Sequence, residues 1–273
     1  MINSVFNIIF FIITTAIYYT VLNPKITVET INNEETYKAY TTNRYTYLGV
    51  YFLLTVVVQF MVNASILSST CGGNLTDNIG AAGTYTFIPW ILIFGVMIIV
   101  LVIFPGFKSA FSDVVGYYYV SRQANTVLTE LLMDKNIQTK IDASQDGTTE
   151  AKSKMQDAAD AVIKIFGEKS VLINQIVPNN FQTYWNTLRV LMKPKYQTDS
   201  PESNDLKQQF FNLVVLRDQV GEAMWFIYTG ILLASIVQLK LLSRGCETSL
   251  DAMQKNYQKF KEEEKKQKKY GFD

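Results

Sequence analysis

The chain has 273 residues, 25 basic and 24 acidic, for a net charge of +1, and it contains no histidine. That balance excludes a broad field of one sign for holding nucleic acid. The missing histidines remove the commonest metal ligand, general base and pH switch together. Two cysteines, Cys71 and Cys246, are too few for a zinc site. No phosphate-binding glycine loop or nucleophile–base pair occurs, and Cys71-Gly72-Gly73 lacks the second cysteine of a redox dithiol. No cofactor, no small-molecule substrate and no enzymatic activity are expected.

A hydrophobic fraction of 48% is within reach of a soluble domain, so clustering carries the argument. Four apolar runs, 5–22, 47–67, 87–107 and 223–242, are each close to the ~20 residues that a helix needs to cross ~30 Å of hydrocarbon. Lys240 is the one charged residue in them, near an end, where it can snorkel to the headgroups. The first run lacks a basic n-region and a small-x-small cleavage pattern, so an uncleaved anchor is expected. Pro24 ends it. The Thr- and Asn-rich connector Lys25–Tyr45 reads as a loop or short strands. After the second run, Ser68–Asn74 reads as a turn, followed by a short loop to Tyr85. Pro89 and Trp90 open the third run, with Trp90 expected at the interface; Pro105-Gly106 closes it.

Residues 108–222 form the substantial polar region, with 13 basic and 14 acidic residues. Apolar spacing predicts helices through Val114–Leu132 and Ala158–Phe166, with a loop at Asp142–Gly147 between them. Pro178-Asn179-Asn180 predicts a break before a helix over Phe181–Met192, and Lys193–Ser203 a connector. No proline follows Asn204, so one helix is predicted to run from the domain into the fourth span, as a stiff strut. The tail 243–273 is rich in Lys and Glu at helical spacing; it reads as a solvated helix, or as a polybasic patch touching anionic lipid or nucleic acid.

Within the spans, Gln59 and Asn63 share a helix face and are expected to hydrogen-bond neighbouring helices; a permeation path is the functional alternative. Gly230 and Ala234 form a small-xxx-small pair suited to close helix packing, and Trp225 and Tyr228 read as interfacial anchors. The run Tyr117–Tyr119 lies against the membrane or the domain core, or else binds a partner. Cys71 and Cys246 follow the second and fourth spans at similar depth on one face, making them candidates for a disulfide, with two free thiols as the alternative. Asn74-Leu75-Thr76 is a weak glycosylation acceptor pattern. The tail's lysines favour a cytoplasmic tail, whereas a bridge and a glycan favour the opposite side, so orientation stays open.

Three patches stand out together: Cys71–Asn74; Phe104–Asp113 continuing to Gly116-Tyr117; and Val220-Gly221-Glu222 with Trp225, Thr229-Gly230 and Cys246. Their arrangement resembles a family of multi-span membrane proteins of large icosahedral double-stranded DNA viruses of algae and protists. The resemblance implies a membrane-embedded virion protein of minor-capsid type, fixing an inner membrane of host-endomembrane origin to the capsid. Its implied partners are the lipid bilayer and, through 108–222, capsid or other minor capsid proteins. The expectation is an all-α integral membrane protein with four transmembrane helices and a helical extramembrane domain inserted between the third and fourth. A channel or transporter, or an accessory subunit of an organellar membrane complex, is the alternative.

Overall fold

Chain punctuation sets the helix boundaries. The computed structural model describes residues 5–71, 75–132, 169–243, 254 and 257–264. Helix α1 (Val5–Ile17) widens into a π turn at Tyr18–Leu22 and stops before Pro24. Helix α2 (Val28–Asn32) starts at Thr27, whose hydroxyl accepts from the Thr30 amide. Helix α3 (Glu34–Cys71) is 38 residues long. The Asn33 carboxamide oxygen accepts from the Glu35 and Thr36 amides, and Glu34 and Glu35 place negative charge at the helix's positive end.

Helix α4 (Leu75–Pro89) passes through a π turn at Trp90–Gly95 into α5 (Val96–Ile103). Proline at 89 removes a ladder donor, and the wider turn that follows absorbs the mismatch. A 3-10 turn at Pro105–Lys108, the short helix α6 (Ser109–Phe111) and a π turn at Ser112–Gly116 lead into α7 (Tyr117–Leu131). Beyond Lys169 come 3-10 turns, α8 (Phe181–Leu188) and α9 (Pro201–Ser243). Helix α9 is one 43-residue helix, with Pro201 in its first turn and the Ser200 hydroxyl accepting from the Ser203 amide.

Four helices are long and apolar enough to cross a membrane, contained in Val5–Leu22, Glu34–Cys71, Ile79–Ile103 and Pro201–Ser243. The fold is all-α, with a helical domain inserted between the third and fourth of these. Three local expectations are corrected. The connector Lys25–Tyr45 is helical rather than loop or strand, being α2 and the first turns of α3. The segment ahead of Tyr85 is the start of α4 rather than a loop. Trp90 is fully buried rather than interfacial. The helix expected over Ala158–Phe166 and the loop Asp142–Gly147 lie outside the described residues.

The chain divides into two compact units. The first comprises residues 1–21, 49–97 and 227–273. Beside buried aromatics such as Phe11, Trp90 and Phe94, it buries polar side chains and exposes large apolar ones. Asn7, Thr55, Gln59, Asn63 and Thr86 are fully buried, whereas Phe6, Ile9, Ile13, Leu53, Met61, Leu92, Ile236 and Leu239 are exposed. A protein folded in water would hide the second set and leave the first outside. With hydrocarbon as solvent the distribution is the stable one, because lipid satisfies apolar side chains and no polar group.

The second unit comprises residues 22–48 and 98–226. It has an ordinary apolar core. Val120, Ala124, Val127, Leu128 and Leu131 form one face of α7 and pack with Phe181, Trp185, Phe210, Phe211 and Val214. Phe181 meets Phe211 edge to face at 4.9 Å. The connector belongs to this core: Ile26 is buried in it, the Tyr37 hydroxyl donates to Asn179 Oδ1 at 2.8 Å, and the Val28 amide donates to Gln208 Oε1 at 3.0 Å.

Candidate functional site

Three elements of the second unit bring together a buried ion cluster. Helix α3 supplies Arg44, the 3-10 turn after α5 supplies Lys108, and α9 supplies Asp218 and Glu222. Lys108 Nζ lies 2.8 Å from Glu222 Oε2 and 3.0 Å from Asp218 Oδ2, and Arg44 Nη2 lies 2.6 Å from the same Glu222 oxygen. Lys108 and Glu222 are both buried. Burial alone would lower the Lys108 pKa; the flanking carboxylates of Glu222 and Asp218 outweigh it and hold the ammonium above its ordinary value. The group is a closed electrostatic clasp between three segments far apart in sequence.

Immediately before Asp218 on α9, Arg217 is buried and pinned differently. Its guanidinium donates to the carbonyl oxygens of Ile173 and Ile176 and to Asn174 Oδ1, with Asp113 Oδ1 3.5 Å away. Backbone carbonyls and a carboxylate together replace the lost hydration. Two glycines make this approach geometrically feasible. A Cβ on Gly116 would lie 2.6 Å from the Arg217 carbonyl oxygen, and one on Gly221 would lie 2.8 Å from the Ser112 amide nitrogen. The π turn Ser112–Gly116 and helix α9 are therefore in backbone contact. The indole of Trp225 donates to the Phe107 carbonyl at 2.9 Å and meets Phe111 edge to face, extending the same joint.

In the first unit, the polar side chains are linked across helices. Asn7 donates to Asn63 Oδ1 at 2.7 Å, Asn63 donates to the Thr86 hydroxyl at 2.8 Å, and Gln59 donates to the Asn7 carbonyl at 3.1 Å. The Thr15 and Tyr51 hydroxyls are 2.8 Å apart. Tyr51, Thr55, Gln59 and Asn63 thus form a polar stripe at i, i+4 spacing along α3, and Gln59 and Asn63 face α1 and α4. Gly230 is buried against Phe11: a Cβ there would lie 2.1 Å from the ring. Ala234 is also fully buried.

Tyr228 is exposed, as are Tyr118 and Tyr119, while Tyr117 turns inward and its hydroxyl lies 2.8 Å from Ser170 Oγ. Cys71 ends α3 and is not a free thiol. Cys246 and Asn74 lie outside the described residues, as does most of the Lys-rich tail; residues 257–264 of it are helical and exposed. Among the described residues no group of three or more His, Cys, Asp or Glu side chains could hold a metal ion.

Sequence reasoning missed the ion cluster, and it missed Asn7 and Thr86 as the partners of Gln59 and Asn63. A signal for the cluster existed. Arg44 precedes the second span, Lys108 follows the third and Glu222 precedes the fourth, so a four-span topology puts all three at one membrane face. Comparison of the chain with protein families, curated proteins and solved structures gives no match.

Proposed function

We propose that this protein is a non-catalytic scaffold of a virion's internal membrane, of minor-capsid type, whose inserted helical domain binds capsid components. The observation that carries the reading is the joint itself. Two of the patches on which the resemblance rests, Phe104–Tyr117 and Val220–Trp225, are the segments that pack together through Lys108, Ser112, Gly116, Gly221, Glu222 and Trp225. These packed segments adjoin the third and fourth apolar runs in sequence, and a scaffold needs a firm joint there most. A domain of nearly balanced charge suits protein contacts better than nucleic acid. The inner membrane of the particle is the localisation this reading implies.

Crosslinking of purified particles followed by detergent extraction tests it. The chain should remain in the membrane fraction and yield crosslinks from residues 108–222 to capsid or minor capsid proteins. Its presence in host-cell membranes but never in particles would contradict the assignment. The buried polar stripe on α3 favours transport as the second reading. In sealed liposomes the scaffold reading expects no ion or solute flux above protein-free controls.

A further inference from the structure

Side-chain exposure around the ion cluster is the reverse of a water-facing surface. Within the second unit, Phe181, Phe210, Phe211 and Phe226 are buried, yet Phe104 and Phe107 are 57% and 55% exposed. Their rings meet edge to face at 6.3 Å. Lys108, the next residue, is withdrawn to 5% side-chain exposure, and Glu222 to 4%. Water would favour the opposite arrangement, solvating the ammonium and hiding the rings.

The clasp holds three chain segments at one level, since Arg44 and Lys108 meet at a single Glu222 oxygen. Beside them in sequence stand Tyr45 and Tyr47 on α3, Phe104 and Phe107 in the turn after α5, and Trp225 on α9. Contacts tie these aromatics to the same level: Tyr45 and Gly106 line one cavity, and the Trp225 indole donates to the Phe107 carbonyl. Tyr45 and Tyr47 are exposed as well. Each segment adjoins an apolar run, beginning at Tyr47, ending at Phe107 and beginning at Ala223.

Continuity with the third span selects the occupant. That span ends at Ile103, and the exposed Ile99 and Ile103 lead directly into exposed Phe104 and Phe107. A second protein would account for a patch on one segment. Aromatic side chains at one level on three spans are the pattern of the bilayer interface. We infer that Tyr45, Tyr47, Phe104, Phe107 and Trp225 form a collar in the carbonyl-to-headgroup layer of a lipid bilayer. The collar fixes the level at which the inserted domain leaves the membrane.

The test places p-benzoyl-phenylalanine in the full chain at Tyr45, Phe104 or Phe107, one position at a time, in phosphatidylcholine liposomes. Val190 is the control position; it is also exposed, but it follows Arg189, which pairs with exposed Asp199. Irradiation and mass spectrometry then count lipid adducts. The expected yield from position 45 and from at least one of 104 and 107 is roughly tenfold or more above that from 190. Fragmentation should place the adducts on the glycerol-proximal half of the acyl chain. Absence of lipid adducts from position 45, absence from both 104 and 107, or an equal yield at 190 would overturn the collar. Adducts at the terminal methyl end would do the same, by putting these rings at the bilayer centre.

Discussion

Glu222 is the residue on which the joint turns, because one oxygen accepts from both Arg44 and Lys108. Removing it leaves a buried ammonium with Asp218 alone, and breaking a buried pair costs ~3–5 kcal/mol. Glu222→Ala should therefore lower the unfolding temperature of the detergent-solubilised protein well beyond Asp218→Ala, which leaves Lys108 its closer partner. Lys108 adds a pH signature of definite sign. Its folded pKa lies above the ordinary 10.5, so its contribution is complete below that value and disappears as pH rises through the folded one. The stability gap between wild type and Lys108→Met should be flat from neutrality to about pH 10 and close above it; a gap already closing between neutrality and about pH 9 would contradict the clasp. Gly116→Ala and Gly221→Ala act through backbone contact, where a Cβ would sit 2.6 Å from its nearest neighbour in each case. Both should destabilise by ~1–3 kcal/mol as overpacking does, whereas Gly49→Ala, with nothing within 4 Å, should not.

Among the elements, those with strong period and length were legible and those ordered by tertiary contact were not. The uninterrupted α9 follows from a proline-free, apolar-periodic stretch, although it starts at Pro201 rather than Asn204. The connector was misread because Thr and Asn favour turns locally. What makes it helical is the Asn33 cap together with burial of Ile26 and the anchoring of Tyr37 to Asn179, contacts 142 residues apart in the last case. Trp90 was misplaced for a related reason. Pro89 resembles a helix start, but the π turn behind it rotates Trp90 inward against Phe11 and Phe94, with ring centroids 5.5 and 5.2 Å away. Gln59 and Asn63 were legible as helix-contact residues, yet their partners were not, since nothing in the spacing singles out Asn7, or Thr86 from the neighbouring Thr84. Asn63→Leu removes two of those interhelical bonds. At ~0.6 kcal/mol on average for each in a membrane, it should cost about 1 kcal/mol, measurable by unfolding in mixed micelles.

At the scale of the whole molecule, the two units differ in what their surfaces and interiors carry: the first links buried amides and hydroxyls across helices and displays isoleucine and leucine, and the second closes an apolar core beneath a largely polar sequence. No single solvent stabilises both, so the chain must meet bilayer and water together. The second span and α9 each carry polar sequence on one side of an apolar run, so the expected topology has the connector and the inserted domain on one membrane face and the tail on the other. Cys71 sits at the far end of its span from Arg44, which puts the expected Cys71–Cys246 bridge on the tail's face. Peptide mass spectrometry without reduction should find the two cysteine peptides joined, and alkylated thiols at both positions would exclude the bridge. The most direct test of the account is protease protection in sealed vesicles, with one epitope inserted after Thr198 and another after Asp273. The account predicts that one epitope is digested and the other protected until detergent is added. Digestion of both in intact vesicles, or release of the chain from the membrane by alkaline carbonate, would contradict it.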